Sequence, residues 1–254
     1  MMMENGATRH FVIDRARMFD LAATSEVVRL LGERAFGARD AGWHLAFRQR
    51  LWWASVVFPA AGEVPFADGP DFMPYFRAAI PAPNTRFEAQ SIGNALPLCF
   101  KHATGIALLP NPSAGMAEAS YVLSFGDLDN LWRFDGLAER PVADIPFSEN
   151  SDILVGSPNA EFLPPHLASA LLFHIRTGWK IAEPRVALAL KPGYTPTLVL
   201  DVVPDDLTGV EERFRPTAYN RLAWYLPPNM PMFGSKSASF ARSMVPLSSF
   251  VMEN

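Results

Sequence analysis

The side chains that could do chemistry here are five histidines, one cysteine and three close pairs of carboxylates. His10, His44, His102, His166 and His174 show no H-x-x-H or H-E-x-x-H spacing, and Cys99 has no second cysteine to complete a C-x-x-C pair. Zinc needs three or four ligands, most often presented at such spacings, so no metal is expected. Cys99 sits in the apolar run PLCF, where burial would raise its pKa and quiet the thiol. No G-x-S-x-G elbow presents a serine, and no G-x-G-x-x-G or G-x-x-x-x-G-K-[ST] string could cradle a phosphate. No cofactor is expected. Asp205-Asp206, Glu211-Glu212 and Asp127 with Asp129 are paired carboxylates. Near neighbours on a helix or strand point in different directions, so these pairs read as solvated charges rather than acid–base couples.

Two constellations remain. The polar turns His102-Ala103-Thr104-Gly105 and Asn111-Pro112-Ser113 bracket an apolar strand, and Asp127 opens the next helix. His102, Thr104, Asn111 and Asp127 are therefore candidate ligand-binding residues. The second constellation is a loop over 59–95, rich in proline and carrying Phe66, Phe72, Tyr75, Phe76 and Phe87. Loops this long inside a domain are often functional. Aromatic residues exposed there would be contact anchors for a partner protein; folded back, they would be a lid on the core. Phe66, Phe72, Tyr75 and Phe76 are the candidate partner-binding residues. His174 shares a helical face with Leu167, Ala170 and Leu171, which predicts a hydrogen-bonded core histidine.

These residues must be positioned by a mixture of helices and strands. The first eight residues are expected to be disordered. Thr24 or Ser25 is placed to cap a helix beginning EVVRLLGERAFG. Trp43, Phe47 and Leu51 predict a second helix to about Arg50, and WASVVF a strand from about Trp52 to Phe58. A short helix is expected at DFMPYFRAA, then strands at ALPLCFKH, GIALLP and SYVLSFG, and a helix at DLDNLWRF with Asp127 placed to cap it or to favour its positive end. After a boundary between Glu139 and Asp152, the order is strand (DILVG), helix (about Pro165 to Thr177), two strands (PRVALALK, TPTLVLDVV), helix (about Thr217 to Tyr225) and short strands at PMFG and SMVPL. Lys191-Pro192-Gly193-Tyr194 makes the paired strands antiparallel. This is an α+β fold of mixed or antiparallel sheets packed with helices, in two halves of similar size, 1–145 and 146–254.

At 254 residues with 49 % hydrophobic and 19 % charged residues, the chain can bury a real core. Its net charge of −4, without a basic stripe, argues against nucleic acid as a partner. A lone cysteine permits no internal disulfide. The N-terminus lacks a continuous apolar h-region, and the longest apolar run, LWWASVVFPAAG, is too short to span a bilayer. A cytoplasmic location with no membrane partner is expected. Oligomeric state is left open.

Three strings carry a resemblance. RAFGARDAGWHLAFRQRLWWASVVFPA is similar in layout to the start of SseB-like proteins, the enhanced serine sensitivity family. LVGSPNAEFLPPHLASALL resembles their apolar strand, turn and proline-containing helix, and PRVALALKPGYTPTLVLDVVPDD the hairpin of their C-terminal domain. The resemblance leaves 62–95 unmatched, and YVLSFGDLDNLW departs from it. It implies a two-part α+β bacterial protein with a binding or regulatory role and transfers no site residues. The leading expectation is a non-enzymatic module that binds another protein. The alternative is a small-molecule-binding protein, or an unrecognised hydrolase or transferase, with a pocket between the halves.

Overall fold

A computed structural model gives the fold, and it describes residues 20–60, 62–82, 84–135 and 153–251. The boundary expected at 139–152 and the first eight residues lie outside these. Helix α1 spans Leu21–Glu33, and Asp20, rather than Thr24 or Ser25, caps it by accepting from the Ala23 amide at 2.9 Å. Both hydroxyls lie inside the first turns and bond back to carbonyls four residues earlier, Asp20 and Leu21. Helix α2, Ala41–Trp53, buries Trp43, Phe47 and Leu51 on one stripe, as their spacing predicts. It runs three residues past Arg50, so the strand expected from Trp52 shrinks to single bridges, Val56 to Gln90 and Val57 to Ala79.

Strand β1 (Phe66–Asp68) pairs antiparallel with β2 (Pro74–Ala79), and β2 runs parallel to β3 (Gly105–Leu109), which pairs antiparallel with β4 (Tyr121–Leu123). The helix expected at DFMPYFRAA is therefore a strand. Conversely, the strand expected at ALPLCFKH is helix α3, Ile92–His102. Ile92, Ala95, Leu96 and Cys99 make its buried stripe, and Pro97 is tolerated on the exposed side. Helix α4, Phe125–Phe134, starts two residues before the expected point.

The second sheet belongs to the other half. Strand β5 (Leu154–Gly156) pairs with β6 (Arg185–Leu190), β6 with β7 (Thr197–Leu200), and β7 runs parallel to β8 (Met232–Gly234). A two-residue strand, β9 (Val245–Pro246), adds to β6. Helix α5, Pro165–Trp179, lies between β5 and β6 in sequence and begins at Pro165, where the missing amide hydrogen costs nothing. The helix expected at 217–225 is α6 (Arg215–Asn220) continued by a 3₁₀ turn, Arg221–Tyr225. The sequence thus holds one sheet per half, and the two sheets are separate.

A common core joins the halves. Phe76, Ile106 and Leu108 turn one face of the first sheet toward α1, α2 and α3. Tyr75 and Ala107 turn the other toward Leu167, Leu171, Val186 and Leu198 of the second half. Two glycines permit this close fit. A Cβ on Gly126 would run into the Leu226 carbonyl, and one on Gly105 would lie 2.9 Å from Trp224.

Candidate functional site

The N-terminus of α4 organises the site. Ser124 Oγ accepts the Asp127 amide at 3.0 Å, and Asp127 Oδ2 accepts the Ser124 amide at 3.0 Å, a reciprocal capping box. Ser124, rather than Asp127, is thus the cap, and Asp127 is the third residue of the helix. The other oxygen of Asp127, Oδ1, lies 2.8 Å from Arg48 Nη2. Arg48 follows the fully buried Phe47 on α2, and its Nε donates to the Tyr121 hydroxyl at 3.0 Å. With that lone pair filled, Tyr121 can give its own proton to His44 Nδ1, 3.0 Å away. Burial works against the Arg48 charge, but Asp127 and Tyr121 outweigh it and hold the guanidinium above its ordinary pKa. Burial pushes the His44 pKa down, with Arg48 and Arg39 adding to it, which favours the neutral acceptor. Burial raises that of Tyr121.

Arg48, Ser124 and Asp127 form one wall of a cavity of about 530 Å³. The opposite wall comes from the second half: Tyr219, Asn220, Trp224 and the segment Leu226–Met232 with its three prolines. Tyr219 is 6 % exposed, and its buried hydroxyl has no hydrogen-bond partner. Burial raises its pKa, with Asp206 adding to the effect. Trp224 is fixed across the junction: its Nε1 donates to the Tyr75 hydroxyl at 3.0 Å, and Tyr75 donates to Asp71 Oδ2 at 2.6 Å. Both the carboxylate and the guanidinium on the first wall are partly exposed, 20 % and 23 %. The arrangement can accept a ligand and hydrogen-bond it. The Ser124 oxygen on this wall is engaged by the helix cap.

Of the four ligand-binding candidates from the sequence, only Asp127 lines this cavity. His102 lies exposed at the end of α3, its ring 5.0 Å from that of Phe66. Thr104 is buried without an oxygen or nitrogen partner. Its neighbour Cys99 is buried, and burial pushes the thiol up to about 12. Asn111 is exposed and closes its own turn by accepting the Ser113 amide at 3.0 Å. Among the aromatic candidates, Tyr75 (2 % exposed) and Phe76 (4 %) are core residues on opposite faces of β2, which removes them as surface anchors. Phe66 packs on Phe76 with ring centroids 5.7 Å apart. Phe72 alone stands out, 75 % exposed at a positive φ of 62°, with the Arg221 guanidinium 5.6 Å from its ring.

A second polar cluster escaped the sequence reading. Asp129 is completely buried, so it is no solvated charge. Arg133 donates to it through Nε at 2.8 and 3.0 Å and through Nη2 at 2.7 Å, and His166 Nε2 is 2.7 Å away. Phe100 stacks on the His166 ring at 4.4 Å. Arg133 Nη1 also donates to the Glu161 carbonyl at 2.9 Å, so the cluster ties α4 to the second half. The spacing of Asp129 and Arg133, four apart on a helix, was visible; the approach of His166 from α5 was not. His174 bonds the Tyr225 hydroxyl through Nδ1 at 3.1 Å, and burial, with Arg221, lowers its pKa to about 4. The capping string Ser124-x-x-Asp127 ahead of an apolar run was the one local signal for the site. Arg48 carried none.

Among the described residues no group of three or more His, Cys, Asp and Glu could hold a metal ion, and no helix is long and apolar enough to cross a membrane. No family model, curated protein or solved structure matches the chain.

Proposed function

We propose that this protein is a non-catalytic binding module that holds a small molecule between its two halves. The observation that carries the reading is the cavity of about 530 Å³ whose walls come from both halves, with the Arg48–Asp127 pair on one side and Tyr219, Asn220 and Trp224 on the other. Its volume falls within the ordinary range of ligand sites, and junctions between substructures favour them. The ligand would report on the relative seating of the halves, which suits a regulatory role. A cytoplasmic, bacterial setting and kinship with SseB-like proteins belong to the same proposal; they rest on the lone cysteine and the apolar layout of the two ends.

The test is native mass spectrometry of the full chain purified gently from its own host, beside the variant Ala223→Trp. Ala223 is an exposed residue of the cavity wall, so tryptophan there fills space without touching the core. A small bound mass on the wild type that is missing from the variant is expected. A small mass retained equally by both proteins, or a bare chain in both, would sink the reading.

A second reading keeps the protein partner. Its support is Phe72, an exposed aromatic residue at the tip of the turn before β2. Phe72→Ala should then lose a protein that co-purifies at fixed stoichiometry with the wild type. Retention of that protein removes this reading.

A further inference from the structure

Resting on the cavity reading above, we infer that the ligand is a small monocarboxylic acid, its carboxylate seated on the outer edge of Arg48. Arg48 is held at two points, Nε on Tyr121 and Nη2 on Asp127, and its Nη1 has no partner among the described residues. A guanidinium fixed in this way presents parallel N–H donors that fit a carboxylate, and its side chain loses little further freedom when one binds. Ser124 reinforces the match. Its oxygen accepts the Asp127 amide, so its proton remains free to donate from the same wall.

The charge balance selects among anions. Asp127 already neutralises Arg48, and no lysine lines the cavity. A phosphate dianion would meet the Asp127 carboxylate with no second cation to compensate it. A single negative charge with two acceptor oxygens is what the remaining donors can serve. An α-ammonium group on the ligand would add a second cation beside Arg48 and compete with it for Asp127, whose oxygens already accept from Arg48 and from the Ser124 amide. The rest of the lining mixes the apolar side chains of Trp224, Leu226, Met230 and Met232 with the polar side chain of Asn220. An alkyl or aryl portion of the ligand can rest on those apolar side chains, and the volume keeps the ligand small.

Titration calorimetry on the full chain tests this with four probes that share one skeleton: 3-phenylpropionate, 3-phenylpropanamide, phenylalanine and 2-phenylethyl phosphate. The carboxylate is expected to bind at least tenfold more tightly than each of the others, and Ala223→Trp to abolish that binding. Arg48→Met should erase the preference for acid over amide. If that variant fails to unfold cooperatively, Arg48→Lys takes its place: it keeps the charge, loses the fork and should still cost the acid at least tenfold. If the amide, the amino acid or the phosphate binds as tightly as the acid in an Ala223-dependent manner, the carboxylate assignment falls while the cavity reading stands. If no probe binds the wild type, the carboxylate assignment also falls, and the cavity reading is then decided by its own mass-spectrometric test.

Discussion

Asp127 and Asp129 lie two positions apart on α4, one at the rim of a cavity and the other fully buried. The helix turns them to different sides. On the open side, Asp127 meets Arg48 with both side chains about one-fifth exposed, and its second oxygen serves the helix cap. On the closed side, Asp129 is fully buried between Arg133 and His166, with Phe100 stacked over the imidazole. Asp127 and Arg48 come from different helices, whereas Asp129 meets Arg133 on its own helix and His166 from α5. Water reaches Asp127 but not Asp129, although Arg133 and His166 are themselves about one-fifth exposed. A carboxylate open to solvent can exchange partners with a ligand, whereas a buried one is bound to its neighbours by the cost of desolvating it alone. The difference in burial thus separates a site from a clasp, although residue type and helix are the same.

The sharpest way to break that comparison is Asp129→Ala. It strands Arg133 beside a buried gap, and the expected loss is about 3–5 kcal/mol in urea unfolding. A loss below about 1 kcal/mol would show that the buried carboxylate does not anchor the clasp. His174 tests the closed region by pH. The unfolded chain takes up a proton at a pKa of about 6.5, whereas the folded chain resists until about 4. Folded His174 is neutral, so its effect on stability is constant above about pH 6.5. Below that the unfolded state gains protons that the folded state cannot, and stability falls toward pH 4 by about 3 kcal/mol at most. The urea midpoint of His174→Phe should lose that part of the slope between pH 6.5 and 4. An unchanged difference between wild type and variant across the window would place His174 in contact with water. The smallest expected effect is that of Asp127→Ala, about 1 kcal/mol for a partly exposed pair and one helix-cap contact. A loss equal to that of Asp129→Ala would erase the distinction between the two sides.

What the residues reveal unaided follows the same division. In the second half, α5, the antiparallel β6–β7 pair and the turn at Lys191–Tyr194 are where the pattern puts them, because each has a clear start or stop signal. In the first half, β2 and α3 are misread as helix and strand. The reason is that both faces of the first sheet are covered, one by α1–α3 and the other by the second half. Tyr75 and Phe76 are then both buried, and the alternation that marks a strand disappears. Pro97 disguised α3 in the same way, since a proline on the exposed side of a helix looks like a break. The site was half legible. Asp127 sits in a capping string, but Arg48 is one arginine among many until the fold brings α2 against α4.

The shared core has a consequence for how the chain is made. Met73, Tyr75, Ala103, Ala107 and Phe125 bury themselves against residues from Leu163 onward, all of which leave the ribosome later. At elongation rates of about 5–20 residues per second, the first sheet waits roughly 5–20 s with one apolar face uncovered. During that interval the nascent first half has no partner for this face and is most exposed to misassociation with other chains. Its hazard therefore lies in the timing of synthesis rather than in the finished fold, and chaperone demand should peak before the second half has been translated.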